Sequence, residues 1–166
     1  MKRAALGVAL IVALTGPTQA DFDAGMAAFE RGDYATAVQE WRPLAEQGHA
    51  EAQNYLGWMH RWGLGVPMDD AEAVKWYRKA AEQGIAEYMT RLASMYLVGW
   101  GVTLDNVKAH MWYDLAAAAG DEDAPEFRDR LAREMAPADI SMAQELARKW
   151  LEKHGEWTVH RKYPDE

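Results

Sequence analysis

The chain has 166 residues, of which 49% are apolar and 27% charged, the balance of one folded domain rather than a disordered chain. It contains no cysteine, which excludes disulfides, a thiol nucleophile and thiolate metal sites. Its formal net charge of −8 disfavours nucleic acid and anionic lipid as partners.

The first twenty residues read as a cleaved secretory signal. Lys2 and Arg3 make a positive start, and Ala4 to Leu14 is an apolar run too short to span a bilayer. Gly16 and Pro17 break it, and Thr18-Gln19-Ala20 supplies the small residues of a cleavage site, with maturation expected near Asp21. No cysteine follows the apolar run, so a lipoprotein anchor is not expected. Cleavage leaves sixteen basic residues against 26 acidic ones, a net charge of −10. The expected location is the periplasm, with no membrane span after cleavage.

The mature chain is built on an internal repeat. Residues 49–84 lie over 85–120 without a gap, a period of 36. Ala50, Leu56 and Met59 fall on Ala86, Leu92 and Met95. Gly63, Gly65, Val66 and Asp69 fall on Gly99, Gly101, Val102 and Asp105. Trp76, Tyr77 and Gly84 fall on Trp112, Tyr113 and Gly120. A shorter unit, about 22–48, comes first: Ala37 to Gly48 aligns with Ala73 to Gly84, and its front half turns tightly through Arg31-Gly32-Asp33-Tyr34.

Each full unit predicts two helices. Ala50 to Arg61 carries apolar residues at helical spacing and ends at Gly63, where a glycine can close a helix in the left-handed conformation. Asp69 is the expected N-cap of a second helix over about 70–83, which Gly84 ends. The next unit repeats this punctuation. Pro43, inside the second helix of the first unit, predicts a kink or a late helix start. Small residues such as Gly57, Ala80, Ala93 and Ala116 alternate with large ones such as Leu56, Met59, Tyr77 and Tyr113, as facing helices require. Stacked pairs then bury what no single pair can, giving an all-α, short right-handed solenoid of antiparallel helix pairs.

After Gly120 the period is expected to fail. Asp121 to Pro125 reads as a turn and cap, Glu126 to Met135 as a helix, and Ala138 to Lys153 as another with Pro137 in its first turn. Residues 121–154 are read as a C-terminal helical cap and 155–166 as a loose tail.

These motifs resemble the Sel-1-like repeat family, a relative of the tetratricopeptide repeats. The resemblance rests on Ala52, Leu56-Gly57, Met59-His60, Gly63-Leu64-Gly65-Val66, Asp69, Ala73, Trp76-Tyr77, Ala80-Ala81 and Gly84, and on their echoes in the next unit. It covers roughly 22–154. His60 stands where the family has tyrosine, and Tyr88 where it has a small alanine, which puts local packing in question. The resemblance implies adaptor or regulatory work through protein binding. The motif residues are structural, so none is carried over as catalytic.

Chemistry is sparsely signalled. The five histidines form no metal-ligand pattern within one helix, and His60 reads as a packed side chain. His154, His160 and Asp165 make only a loose metal candidate. Ser94 and Ser141 sit in no nucleophile motif. Gly63-Leu64-Gly65 lacks the lysine and preceding strand of a phosphate loop. No catalytic, cofactor or metal residue is therefore assigned.

Of eight tryptophans, Trp41, Trp76 and Trp112 sit at repeated or near-repeated positions and read as core, whereas Trp58, Trp62 and Trp100 occupy variable positions. The expected function is an exported protein-binding module. Its concave surface, formed by the first helix of each unit, would use Asn54, Trp58, Arg61, Trp62, Arg91, Ser94 and Val98 to hold a partner protein. Arginine with tryptophan is common at interface hot spots, and the arginines suit acidic ligands. The alternative is a cell-wall-ligand binding protein or hydrolase using the same aromatic surface. Weak self-association through incompletely capped ends is a further expectation.

Overall fold

The computed structural model describes residues 19–154. The expected signal segment up to residue 18 and the tail from 155 onward, with Trp157, His160, Tyr163 and Asp165, lie outside the described residues. Within them are eight helices and no strand, in the order α1 (Gln19–Glu30), α2 (Tyr34–Glu46), α3 (Ala50–Trp62), α4 (Asp70–Ala81), α5 (Ala86–Val98), α6 (Asn106–Ala118), α7 (Ala124–Ala132) and α8 (Pro137–His154). Each helix from α1 to α6 packs on the next, and α8 packs on α6. The molecule is an all-α solenoid.

Helix ends follow the repeated punctuation. Asp33, Asp69 and Asp105 cap α2, α4 and α6, each side chain accepting from the backbone N–H three residues on, at 3.2, 2.9 and 2.9 Å. α3 and α5 close at Gly63 and Gly99, with φ +65° and +78°. Asp69 and Asp105 then donate their backbone N–H back to the carbonyls of His60 and Tyr96, at 2.8 and 3.0 Å. These bonds fold the loops 63–69 and 99–105 onto the helices they leave.

Pro43 does not delay α2, which begins at its Asp33 cap and runs through the proline to Glu46. Pro43 is exposed, so its ring meets solvent rather than a neighbouring helix. The helix after Asp121 starts earlier than predicted, at Ala124, because Asp121 accepts from both Asp123 and Ala124 backbone N–H groups, at 3.0 and 2.8 Å. It ends at Ala132 rather than Met135.

The core forms two clusters. One centres on Trp41, Leu44, Leu56 and Met59, the other on Tyr77, Leu92, Met95 and Tyr113. Trp58, half-buried, packs against both. Gly57 is obligatory between them in a local sense: a Cβ there would lie 2.8 Å from the Tyr77 ring.

The join between units is main chain on main chain. Gly65 and Gly101 take φ +68° and +65°. A Cβ at Gly65 would come within 2.4 Å of the Tyr34 carbonyl oxygen, and one at Gly101 within 2.0 Å of that of Asp70. Tyr34 and Asp70 are themselves 36 residues apart and each opens the second helix of the preceding unit. A polar tie adds to the joins elsewhere: buried Gln53 donates to the Ala45 carbonyl at 2.9 Å and accepts from Gln83 at 2.7 Å.

Candidate functional site

α3 and α5, the first helices of two successive units, leave a groove of about 230 Å³ between them. Its floor is Tyr77 of α4 with Met95, both buried, as residues repeated for packing should be. Its walls are the variable positions. Trp58, Arg61 and Trp62 come from α3, Arg91 and Ser94 from α5. Trp100, from the loop after α5, closes one side.

The arginines differ in how they are held. Arg61 donates to Asp70 at 3.0 Å, and its guanidinium lies 4.0 Å from the centroid of Trp100 and 5.2 Å from that of Trp62. It is fixed by an ion pair below and indole faces around it. The loop that brings Trp100 over Arg61 is the one whose Gly101 rests on the Asp70 carbonyl. Arg91 is less completely satisfied. Its Nη2 donates to Glu87 at 3.1 Å, one turn back and largely exposed, and its guanidinium lies 5.7 Å from the Tyr77 ring. Its Nε is buried and has no hydrogen-bond partner. Burial raises the Tyr77 pKa above the usual tyrosine value, while Arg91 beside it works against the shift.

Five of the seven residues predicted from sequence therefore meet in one groove: Trp58, Arg61, Trp62, Arg91 and Ser94. Asn54 does not line it; it sits further back on α3, half-buried, with a buried Oδ1 lacking a partner. Val98 is 49% exposed and also lies off the groove lining. Ser94 is not free for a ligand alone, since its hydroxyl is bonded to the Thr90 carbonyl at 3.1 Å and lies 3.0 Å from the Tyr113 hydroxyl. Trp58 is half-buried and meets Phe29 edge-on at 5.4 Å. Trp62 and Trp100, 58% and 44% exposed, are the accessible aromatics. The sequence reading left Trp100 out of the site. Its signal was an aromatic inside a glycine-flanked loop, facing across the unit boundary.

The three tryptophans read as core are buried. His60 is buried as expected, with neither ring nitrogen bonded, and burial holds its pKa below the usual histidine value. Tyr88, the other departure, is accommodated in the core. His154 stacks on Trp150 at 4.2 Å, with its Nδ1 2.8 Å from the Trp150 carbonyl. Among the described residues no group of three or more histidine or acidic side chains is placed to hold a metal, and no helix is long and apolar enough to cross a membrane.

The Sel1 repeat family matches residues 50–85, 86–121 and 135–153. Among solved structures, the chain is similar to a protective antigen present in uropathogenic Escherichia coli strains and displaying an SLR fold. The identity is 29% and the TM-score 0.78, over 91% of this chain and 34% of that one. The chain thus spans about a third of that relative's length. It is also similar to a Sel1 repeat protein from Oxalobacter formigenes, with 33% identity and a TM-score of 0.63, over 69% of this chain and 90% of that one. No curated protein matches the sequence.

Proposed function

The chain belongs to the Sel1 repeat family, and from that premise we propose that it is an exported adaptor that grips a partner protein through the groove between α3 and α5. Sel1 repeat proteins are generally protein-interaction modules and typically non-catalytic scaffolds. The observation that carries the proposal is the gathering of Trp62, Trp100, Arg61 and Arg91 around one solvent-open groove. None of these four belongs to the repeated packing set. Exposed indoles and restrained guanidinium groups lose little side-chain freedom on binding, which is why they dominate interface energetics.

The test is affinity capture from a cell-envelope extract, comparing the wild-type chain with Trp62→Ala. Trp62 is the right probe because its exposure lets it be removed without opening the core. The expected outcome is a protein retained by wild type and lost, by roughly ten-fold or more in affinity, in the variant. The same recovery with both, at equal helicity by circular dichroism, refutes the groove assignment.

Export follows from the sequence signal, and cleavage near Asp21 is part of the proposal. The carbonyl of Phe22 accepts from Trp41 Nε1 at 3.2 Å, and the Phe22 ring is buried. Maturation is thus expected to stop short of a residue that the fold uses. Intact mass of the protein recovered from the periplasm checks the site, and recovery of the full-length form from the cytoplasm alone contradicts export.

A further inference from the structure

A second groove, of about 140 Å³, lies between α5, α6 and α7. Leu97, Tyr113, Phe127, Arg130, Leu131 and Glu134 line it. The first five stand 36 residues after Arg61, Tyr77, Arg91, Ser94 and Met95 of the first groove, and Glu134 stands 36 after Val98. The two grooves are thus the same place in successive units. α7 continues the geometric period that its sequence no longer displays.

We infer that the two grooves are successive subsites for one extended acidic segment of the partner protein, an inference that rests on the groove reading above. Each volume suits a single apolar side chain rather than a helix, whose diameter is about 10–12 Å. Successive first helices pack about 10 Å apart, which three residues of extended chain span at about 3.3 Å each. A segment with apolar anchors at positions i and i+3 therefore fills both. Between the grooves stands α5, which carries Arg91. Its buried Nε has no hydrogen-bond partner, its Nη2 donates to the exposed Glu87, and its guanidinium also bears on the Tyr77 hydroxyl. A carboxylate beside the first anchor would satisfy that Nε and displace Glu87 into solvent. An unpaired buried donor is costly, so a ligand acceptor there adds affinity as well as register. Arg130, 62% exposed and paired with Glu126 at 2.7 Å, brings a cation to the second groove, where Glu134 also lies, so the charge preference rests mainly on Arg91.

The probe is a fluorescein-labelled peptide set, Gly-Phe-Glu-(Ser)n-Leu-Gly with n from 0 to 6, made in both sequence orders and titrated into the full chain by fluorescence polarisation. The expected result is tightest binding when the anchors are three apart, about ten-fold tighter than neighbouring spacings. Arg91→Gln should weaken that peptide by a similar factor, and replacing its glutamate by glutamine should do the same. Phe127→Ser should flatten the dependence on spacing while the first subsite still binds. Arg130→Glu, which leaves the core untouched, should weaken only peptides that reach the second groove. A profile flat in n, an optimum at seven residues as a helix would give, no binding by any peptide, or an unchanged profile in both second-groove variants overturns the inference. If that happens while Trp62→Ala still releases the captured partner, the two-subsite inference falls and the groove stands. If Trp62→Ala releases nothing, the groove reading itself falls.

Discussion

His60 and Tyr96 occupy equivalent positions, and comparing them shows what the substitution costs. Arg78 donates to the Tyr96 hydroxyl at 2.7 Å. Arg42, 36 residues before Arg78, faces His60 and acts on it electrostatically, but the imidazole nitrogens remain unbonded. His60→Tyr is therefore expected to restore the arginine–phenol bond and raise stability by about 1 kcal/mol, read as a higher Tm. The histidine also makes stability pH-dependent. Burial holds its folded pKa below the usual 6.5; Glu72 opposes it next, and Arg42, a smaller cause than Glu72, adds to the lowering while Asp69 opposes. The unfolded chain then binds more protons than the folded one below that value. Stability is complete above pH 6.5 and falls as the pH drops below it. His60→Phe should lose that part of the acid sensitivity, seen as a smaller fall in Tm between pH 7.5 and 5.5 than the wild type shows.

At the scale of the element, two kinds of feature determine where helices begin and how units meet. The caps at Asp69 and Asp105 were legible because capping uses a side chain, and side chains are what a sequence records; Asp33, read only as part of a turn, caps α2 as well. Asp69→Ala should cost about 1 kcal/mol in denaturant unfolding. The glycine joins were legible only as glycines. Nothing in the sequence says that Gly101 touches a backbone in the previous unit while Gly120 touches nothing. Gly120 has φ +95° with open space around it, whereas Gly101 adds a Cβ contact of 2.0 Å to its positive φ. Gly120→Ala should cost about 1 kcal/mol, and Gly101→Ala at least about 2 kcal/mol more, by chemical denaturation of each variant. Equal losses would show that the close approach is not limiting. The same reasoning accounts for the site residues. Trp58, Arg61, Trp62, Arg91 and Ser94 come together in the groove because non-motif positions on a helix are left free of the repeated packing. Asn54 and Val98 lie off the groove because helical spacing gives a face but not the half-turn that separates groove from flank. Trp100 joins the groove lining from outside the predicted set because a loop's reach across a unit boundary has no periodicity.

Across the whole molecule, the repeat pattern disclosed the solenoid but understated its length. Identity ends at Gly120, yet the geometry of Tyr77 and Met95 recurs at Tyr113 and Leu131. What persists into α7 is the stacking register, while the side chains that would reveal it have changed: Arg128 stands where Leu92 does in the unit before. The two core clusters make the molecule a short chain of coupled parts, and Trp58 is the side chain common to both. Trp58→Ala should therefore cost about 3 kcal/mol and lower the denaturant m value as the two ends begin to unfold separately. Trp62→Ala should leave m unchanged. This separates a residue that joins the halves as well as lining the groove from one that only lines it, although both are tryptophans on one helix.

The joints at Gly65 and Gly101 have an evolutionary corollary. Because each is a contact of backbone with backbone, these two joints do not depend on the side chains that line the groove. Mutational drift can exchange the indoles and guanidinium groups of one groove for other chemistry without loosening the array. Duplication or loss of a whole 36-residue block would likewise add or remove one groove and leave the joints intact. In such a chain the spacing of the grooves is inherited, and only their lining has to be selected anew.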